Sequence, residues 1–477
     1  MKKTLLILSI GLLASCKKSF LDLAPISNAN VQAFYKTPND IMVAVNACYA
    51  SLQLDGQYRY AYWQFGEVRS DNTYNWDGAG NFPDAEIDQF KETSANAIIT
   101  AAWEDTYHGI QLCNVVLNRI NGVTMSDALK NQYIGEAEFL RALMYFNLVR
   151  IYGEVPLVTK ETSSVSEGYS ETRMPVEDVY AQIVADLTDA AQKLPVSYSG
   201  ADIGRATKGA ATGLLGKVYL TQGMYDKASS TLQQVISSGN YHLLANYADL
   251  WNTANANNAE SLFEVQFKKG GTGTGSNYYE QFAPRNSGTA VTGLGFAQGR
   301  SLPTPDLDTS YENGDTRKDA SIAESYVLNG DTVYDRYTLK FRDQPFIDGD
   351  ADNHWPVLRY ADVLLMYAEA LNEQNHAPNQ QAYDAVNQVR ARAGLHPLAA
   401  GMSHDAFAQA VSHERRVELA FEGQRWFDLV RTGQALQVMN KHFAGSITVQ
   451  SYQLLFPVPQ TEVSVNPDGI KQNPGYN

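Results

Sequence analysis

Residues 207–238 read TKGAATGLLGKVYLTQGMYDKASSTLQQVISS, and the order of small and large side chains in this stretch decides the fold. Leu215, Gly216, Tyr219, Gly223, Tyr225, Ala228, Leu232 and Val235 recur at the steps that line one face of a helix. The stretch predicts two antiparallel helices, over 207–222 and 225–238, whose small residues allow close packing while the large ones fill the seam.

These offsets are those of a tetratricopeptide repeat. Two positions depart from it, with Thr212 where the repeat usually has Trp and Asn240 where it usually has Pro. Tyr367, Ala368, Leu371, Ala382, Val386 and Val389 form a looser second copy with a longer turn, and 136–151 with 176–194 form a third candidate pair. A stack of such pairs buries one continuous core and leaves loops on one side. Any other helical hairpin with small-residue packing gives the same local pattern, and that reading stands beside the repeat.

Outward from this stretch, helical periodicity covers 38–54, 96–120, 126–151 and 175–194, interrupted by loops at 68–90 and 153–174. From about 252 to 356 the character changes. Gly270, Gly271, Gly273 and Gly275 sit among Thr and Ser, while Pro303 and Pro305 exclude a continuing helix. Only short β-like runs, Leu262 to Phe267 and Tyr334 to Phe341, fall in this insert. Helices resume over 359–374, 379–393 and 403–422, and a Pro-marked extended tail follows. The expected class is mainly α: tetratricopeptide-like helical pairs supporting an irregular, loop-rich region with few short strands.

At the N-terminus, Lys2 and Lys3 precede an apolar stretch from Leu5 to Ala14 that ends in Leu13-Ala14-Ser15-Cys16. This is the pattern of a secretory signal peptide, too short to cross a bilayer core that needs roughly 20 apolar residues. Small residues before a Cys resemble the lipobox of bacterial lipoproteins, in which the Cys is acylated and becomes the new N-terminus. Cys16 is then the lipidation site, and an ordinary signal peptide with a nearby Cys is the plainer alternative. The expected division is 1–15 as signal peptide, 16–37 as anchor and tether, and 38–477 as one domain, with the insert at about 252–356 and C-terminal helices and tail over 357–477. Cys48 and Cys113 sit in helix-like apolar patterns; export permits a disulfide, and two free buried thiols fit equally well.

The chain has 477 residues, 52 acidic and 37 basic, for a net charge of −15, which argues against phosphate-backbone binding and therefore against nucleic acid as a partner. At 44 % apolar and 19 % charged it can bury a large core.

Glu414, Glu418 and Glu422 stand four apart beside Arg415, Arg416 and Arg425, which invites a glycosidase reading. Catalytic acid and base must flank a bound sugar, however, and three Glu on one helix face cannot enclose it. The spacing instead suggests charge pairs that fasten the helix to its neighbours. No nucleotide loop, metalloprotease His pair or nucleophile elbow is present. Asp348, Asp350 and Asp352 alternate like the start of a calcium loop, but Asn353 replaces the required Gly and Arg359 the final Glu. No cofactor is expected; a structural calcium of another kind stays open beside a solvated acidic turn.

The loop RSDNTYNWDGAGNF at 69–82 alternates aromatic and polar residues. Sugars offer C–H faces that stack on rings and hydroxyls that need amide or carboxylate partners, so Asn72, Tyr74, Asn75 and Trp76 are ligand candidates. A loop Trp that tucks back as a packing anchor is the competing reading. Tyr278, Tyr279 and Gln281, next to Asn277 and Glu280 after the Gly-rich run, are the second candidate group.

Several ordered segments resemble one family, the SusD/RagB-like outer-membrane nutrient-binding lipoproteins. They are Cys16 with Phe20-Leu21-Asp22 and Pro25, AEFLRALMYFNLVRIYGEVPL at 137–157, GRATKGAATGLLGKVYL at 204–220, WPVLRYADVLLMYAEALNE at 355–373, ERRVELAFEGQRWFDLVR at 414–431, LLFPVPQTEV at 454–463 and the terminal NPGYN. The resemblance implies helical pairs beneath a loop-rich ligand face, and a framework role for Trp355. It also implies a non-catalytic receptor, lipid-anchored in the outer membrane and facing outward, that passes an oligosaccharide to a SusC-like TonB-dependent transporter. A surface glycoside hydrolase, a tetratricopeptide scaffold that binds protein segments, and a receptor for peptide or another nutrient are the alternatives.

Overall fold

Thr37, Asn96, Ser126, Thr207, Asn379 and Ser403 each accept a backbone N–H in the first turn of a helix, the cap that a free helix start requires, worth about 1 kcal/mol apiece. The structure is a computed structural model and describes residues 34–76, 82–345 and 347–476. Residues 1–33, with the signal peptide, Cys16 and most of the tether, lie outside the described residues, as do 77–81 of the aromatic loop.

The caps open α1 (Pro38–Ser51), α2 (Ala97–Arg119), α3 (Asp127–Tyr152), α5 (Lys208–Thr221), α8 (Gln380–Arg392) and α9 (His404–Glu418); α4 (Val176–Lys193), α6 (Tyr225–Ser237) and α7 (Tyr360–Asn375) complete the stack. Each helix from α2 to α8 packs on the next in chain order, with α1 against α2 and α3 and with α9 against α7. This neighbour-on-neighbour order is that of a helical repeat array. The three expected pairs are α3 with α4, α5 with α6, and α7 with α8. At the centre of the quoted stretch, a Cβ on Gly216 would meet Leu232 at 2.5 Å, so only Gly lets α5 close on α6.

The insert leaves the stack after α6 and returns at α7, and those two helices pack on each other across it. Its base is closed by one antiparallel ribbon, Ser261–Val265 with Trp355–Arg359, in which Trp355 faces Val265 and Arg359 faces Ser261. Aromatic rings fill the seam between insert and stack. Phe341 and Trp355 stack at 5.1 Å, Tyr278 lies 5.1 Å from Trp355, and Phe282 meets Trp63 edge-on at 5.0 Å. Trp355 is therefore a packing residue, fully buried.

Charge pairs fasten the end of α9 from several sides. Glu418 accepts from Arg317 at 3.1 Å, Arg359 at 3.0 Å and Arg392 at 2.5 Å. Glu414 is bound by Arg317 and Arg390, and Glu422 by Arg359 and Lys340. The partners thus come from the insert and from α8, not from the adjacent Arg415, Arg416 and Arg425. Burial alone would raise the Glu418 carboxyl, but the guanidinium groups of Arg392, Arg359 and Arg317 outweigh it and hold it far below the usual carboxylate range. All three glutamates are buried and paired in this way.

Four local expectations need correction. The helix expected to reach 422 stops at Glu418, because the Glu67 carboxylate accepts the amides of Phe421 at 2.8 Å and Gly423 at 3.0 Å and holds Phe421 at φ 68°. Two further helices, α10 (Arg425–Arg431) and α11 (Ala435–Phe443), follow where no helix is expected; they are short and rest on buried Trp426, Phe427, Leu429 and Met439. The β-like run 334–341 is strand only at Tyr337–Thr338, since Lys340 is drawn into the ion network and Tyr334 projects into solvent. Asp350 and Asp352 do not form a solvated turn. Asp350 is buried and accepts the amides of Gly270 and Gly271 at 2.8 and 2.9 Å, and Asp352 pairs with Lys268 and Lys269, so these acids anchor the Gly-rich run. Cys48 and Cys113 are both buried and free.

Candidate ligand-binding site

The aromatic loop leaves the π-helical turn Gln64–Val68 on a set of buried anchors. Arg69 is fully buried, bidentate to Glu92 at 2.5 and 2.7 Å, with further bonds to the carbonyls of Ile87 and Gln453. Asp71 receives Arg425 at 2.8 and 3.0 Å and Arg416 at 3.0 Å. The chain then enters the short strand Thr73–Tyr74, paired antiparallel with Leu302–Pro303.

Extended backbone sends alternate side chains to opposite faces, and this sorts the candidates. Thr73 and Asn75 point inward and are buried, whereas Tyr74 and Trp76 point outward with 36 % and 46 % of their surface exposed. The inward polar residues are spent on the scaffold. Asn72 donates to Glu67 at 2.9 Å and accepts from Arg416 at 2.8 Å. Asn75 donates through its side chain to the Asp84 carbonyl at 3.0 Å, and its backbone amide reaches Asp88 at 3.2 Å. Both side chains are thus bonded within the scaffold, on the face opposite Tyr74 and Trp76.

The second candidate group is also interior. Tyr278 is buried in the aromatic seam, its hydroxyl donating to the Tyr58 carbonyl at 2.9 Å. Tyr279 lies in a smaller apolar cluster with Leu302, Tyr326 and Tyr337 and donates to the Val291 carbonyl at 2.7 Å. Gln281 accepts from Arg300 at 2.6 Å, and Arg300 in turn binds Asp84 at 2.5 Å. Gln281, through Arg300 and Asp84, therefore buttresses the aromatic loop, and the two buried tyrosines do not join Tyr74 and Trp76 at the surface. The reason is a short helix, Tyr278–Phe282, that turns both tyrosines into the core.

What the insert does bring to the surface is the loop 283–300. The Trp76 amide donates to the Gly299 carbonyl at 2.8 Å, and the Arg285 guanidinium lies 4.9 Å from the Trp76 ring centroid, covering one face. Leu294 and Phe296 on the same loop are 41 % and 46 % exposed. In the sequence this stretch carries Arg285 and Phe296 beside Gly293, Gly295 and Gly299, a polar and an aromatic side chain in a glycine-rich loop. Two carboxyls shape the surroundings. Burial pushes Asp88, under the loop, up to about 7, and burial raises Asp335, whose charge acts on the Tyr74 phenol. Among the described residues no group of His, Cys, Asp and Glu is arranged to hold a metal ion.

Comparison with known proteins agrees with this architecture. The family model described as "SusD family" matches residues 327–476, and one described as "Starch-binding associating with outer membrane" matches 19–220. SusD-like protein P2 of Formosa agariphila is 28 % identical over the full length of both chains. A SusD homolog from Bacteroides thetaiotaomicron superposes with a TM-score of 0.83 at 27 % identity, covering 93 % of this chain and 98 % of that one. A laminarin-binding SusD-like protein superposes at 0.78 with 29 % identity, covering 93 % and 100 %. With its helical stack, its ribbon-closed insert and these matches at both ends, the chain belongs to the SusD/RagB family.

Proposed function

We propose that this protein is a non-catalytic, lipid-anchored receptor on the cell surface that captures an oligosaccharide on Tyr74 and Trp76 and delivers it to a SusC-like TonB-dependent transporter in the same outer membrane. One observation carries the reading: two adjacent aromatic side chains project outward from a loop whose every inward side chain is bonded to the scaffold. A rigid ring loses little freedom on binding, and the C–H face of a pyranose stacks on it. The Trp76 face away from Arg285 is the stacking surface. Relatives that bear the names starch-binding and laminarin-binding support a glycan as ligand. The lipid anchor rests on Cys16, and the receptor would act as a lid on the barrel, with transport driven by the TonB system.

The glycosidase alternative loses its only motif, because Glu414, Glu418 and Glu422 are sealed in the ion network. The deciding experiment is calorimetry of the wild type and Trp76→Ala against a broad glycan panel. We expect one glycan class to bind, and Trp76→Ala to weaken it by about tenfold or more, roughly 1.4 kcal/mol or above, with the melting temperature unchanged. A silent panel would move peptide or another nutrient ahead of sugar, and a large fall in melting temperature would make Trp76 a packing anchor.

A further inference from the structure

A cleft of about 870 Å³ lies between α2, the segment 156–171 that crosses over it, and the C-terminal residues 461–470. It shares no residue with the Tyr74–Trp76 loop. Its size is that of a small-molecule site. The floor is aromatic: Trp103 and Tyr107 lie 5.1 Å apart, and the Tyr107 hydroxyl is committed to the Pro156 carbonyl at 2.7 Å. At the rim stand two largely apolar side chains left open to water, Tyr169 at 57 % and Val465 at 53 % exposure.

The charge of the lining is one-sided. Glu104, Glu171 and Glu462 border the cleft, and among the described lining residues there is no Lys, Arg or His. Arg173, whose charge reaches Tyr107, is turned to other partners: it donates to the carbonyls of Glu154 at 2.7 Å and Lys471 at 2.8 Å and to Asn473 at 2.6 Å. Glu462 borders the cleft with Trp103, and its carboxyl is raised, first by burial and then by the charge of Glu104. A bound cation would favour the ionised carboxylate against both effects. Aromatic faces and carboxylates together attract one kind of ligand, since ring quadrupole and anionic oxygen both favour positive charge while the rings also contact an apolar body.

The geometry points to a second binding site in this cleft, for a small organic cation: an ammonium or guanidinium group carried on an apolar body, which Glu104 and Glu462 neutralise and Trp103, Tyr107 and Tyr169 enclose. The inference is independent of what the Tyr74–Trp76 loop binds.

The full chain, purified in detergent, would be titrated calorimetrically with two cationic probes, the glucosamine tetramer and the tripeptide Lys-Trp-Lys. Their uncharged counterparts, the N-acetylated tetramer and Gln-Trp-Gln blocked by an N-terminal acetyl and a C-terminal amide, serve as controls, and Lys-Trp-Lys carries the same two blocking groups. At least one cationic probe should bind about tenfold or more tightly than its counterpart and weaken with added salt. Binding by the tetramer alone identifies an amino sugar as the source of the cation, and binding by the tripeptide alone a basic peptide. The exposed changes Glu104→Gln and Tyr169→Ala, and Glu462→Gln, should each weaken it at unchanged melting temperature, and Trp76→Ala should leave it intact. Equal binding of charged and uncharged probes, no binding of either cation, wild-type binding by the Glu104→Gln/Glu462→Gln double variant, or loss of binding on Trp76→Ala would overturn the site.

Discussion

The backbone amide of Trp76 donates to the carbonyl of Gly299 at 2.8 Å, and the Cβ that Gly299 lacks would stand 2.9 Å from that of Trp76. Gly299 has φ 67°, so it is required both by its own left-handed conformation and by the closeness of the ring it positions. The outward aromatic pair is thereby joined to the insert at one point where no side chain fits.

Gly299→Ala should displace Trp76 without touching it chemically. The left-handed backbone costs an L-residue about 1–2 kcal/mol, and the contact with Trp76 adds to this. We expect a fall in glycan affinity of the same order as for Trp76→Ala, accompanied by a modest drop in melting temperature that Trp76→Ala lacks. Calorimetry and thermal denaturation of the two variants side by side make the comparison; wild-type affinity in Gly299→Ala would show that the ring position does not depend on this contact.

Glu418→Ala should act on stability and spare binding. It leaves Arg317, Arg359 and Arg392 with an uncompensated charge in the interior, a loss on the order of 3–5 kcal/mol. Chemical denaturation should show that loss, and the fraction that remains folded should bind the glycan as the wild type does. Unchanged stability with lost binding would make this segment a site.

Asp88 gives a pH test. Its carboxyl is raised to about 7 by burial, against about 4 in an unfolded chain, so between those values the folded protein holds a proton that the unfolded chain has released. The stability this group contributes is therefore present at low pH and falls as pH rises through the window. Asp88→Asn keeps an oxygen for the Asn75 amide and cannot ionise. The difference in melting temperature between Asp88→Asn and wild type should grow in favour of the variant from pH 5 to pH 8. A difference that is flat over this range would contradict the raised carboxyl. The acids lowered by charge pairing, Glu418 and Asp428, lose their contribution only at more acidic pH, as they become protonated.

Cys16→Ala should release the protein from membranes, since among the described residues no helix is long and apolar enough to hold it there. Fractionation with a carbonate wash measures this; retention of the variant in the pellet would refute the anchor.

Much of the fold was legible in the chain alone, because helix caps and three- and four-residue apolar spacing are local signals. The pairs α3–α4, α5–α6 and α7–α8 follow from such spacing, and Thr207 and Gly216 act within their own helix pair. The outward aromatics Tyr74 and Trp76 were legible too, as rings in a polar loop. What only the tertiary structure decided were the partners of polar groups, which sequence spacing does not constrain. Glu418 takes its cations from Arg317, Arg359 and Arg392 across the chain, and Glu67 ends α9 from more than three hundred positions away. The same holds for Asn72 and Asn75. Their residue types suit a sugar as well as a scaffold, and only the strand alternation that turns them inward, while Tyr74 and Trp76 turn outward, assigns them to the scaffold.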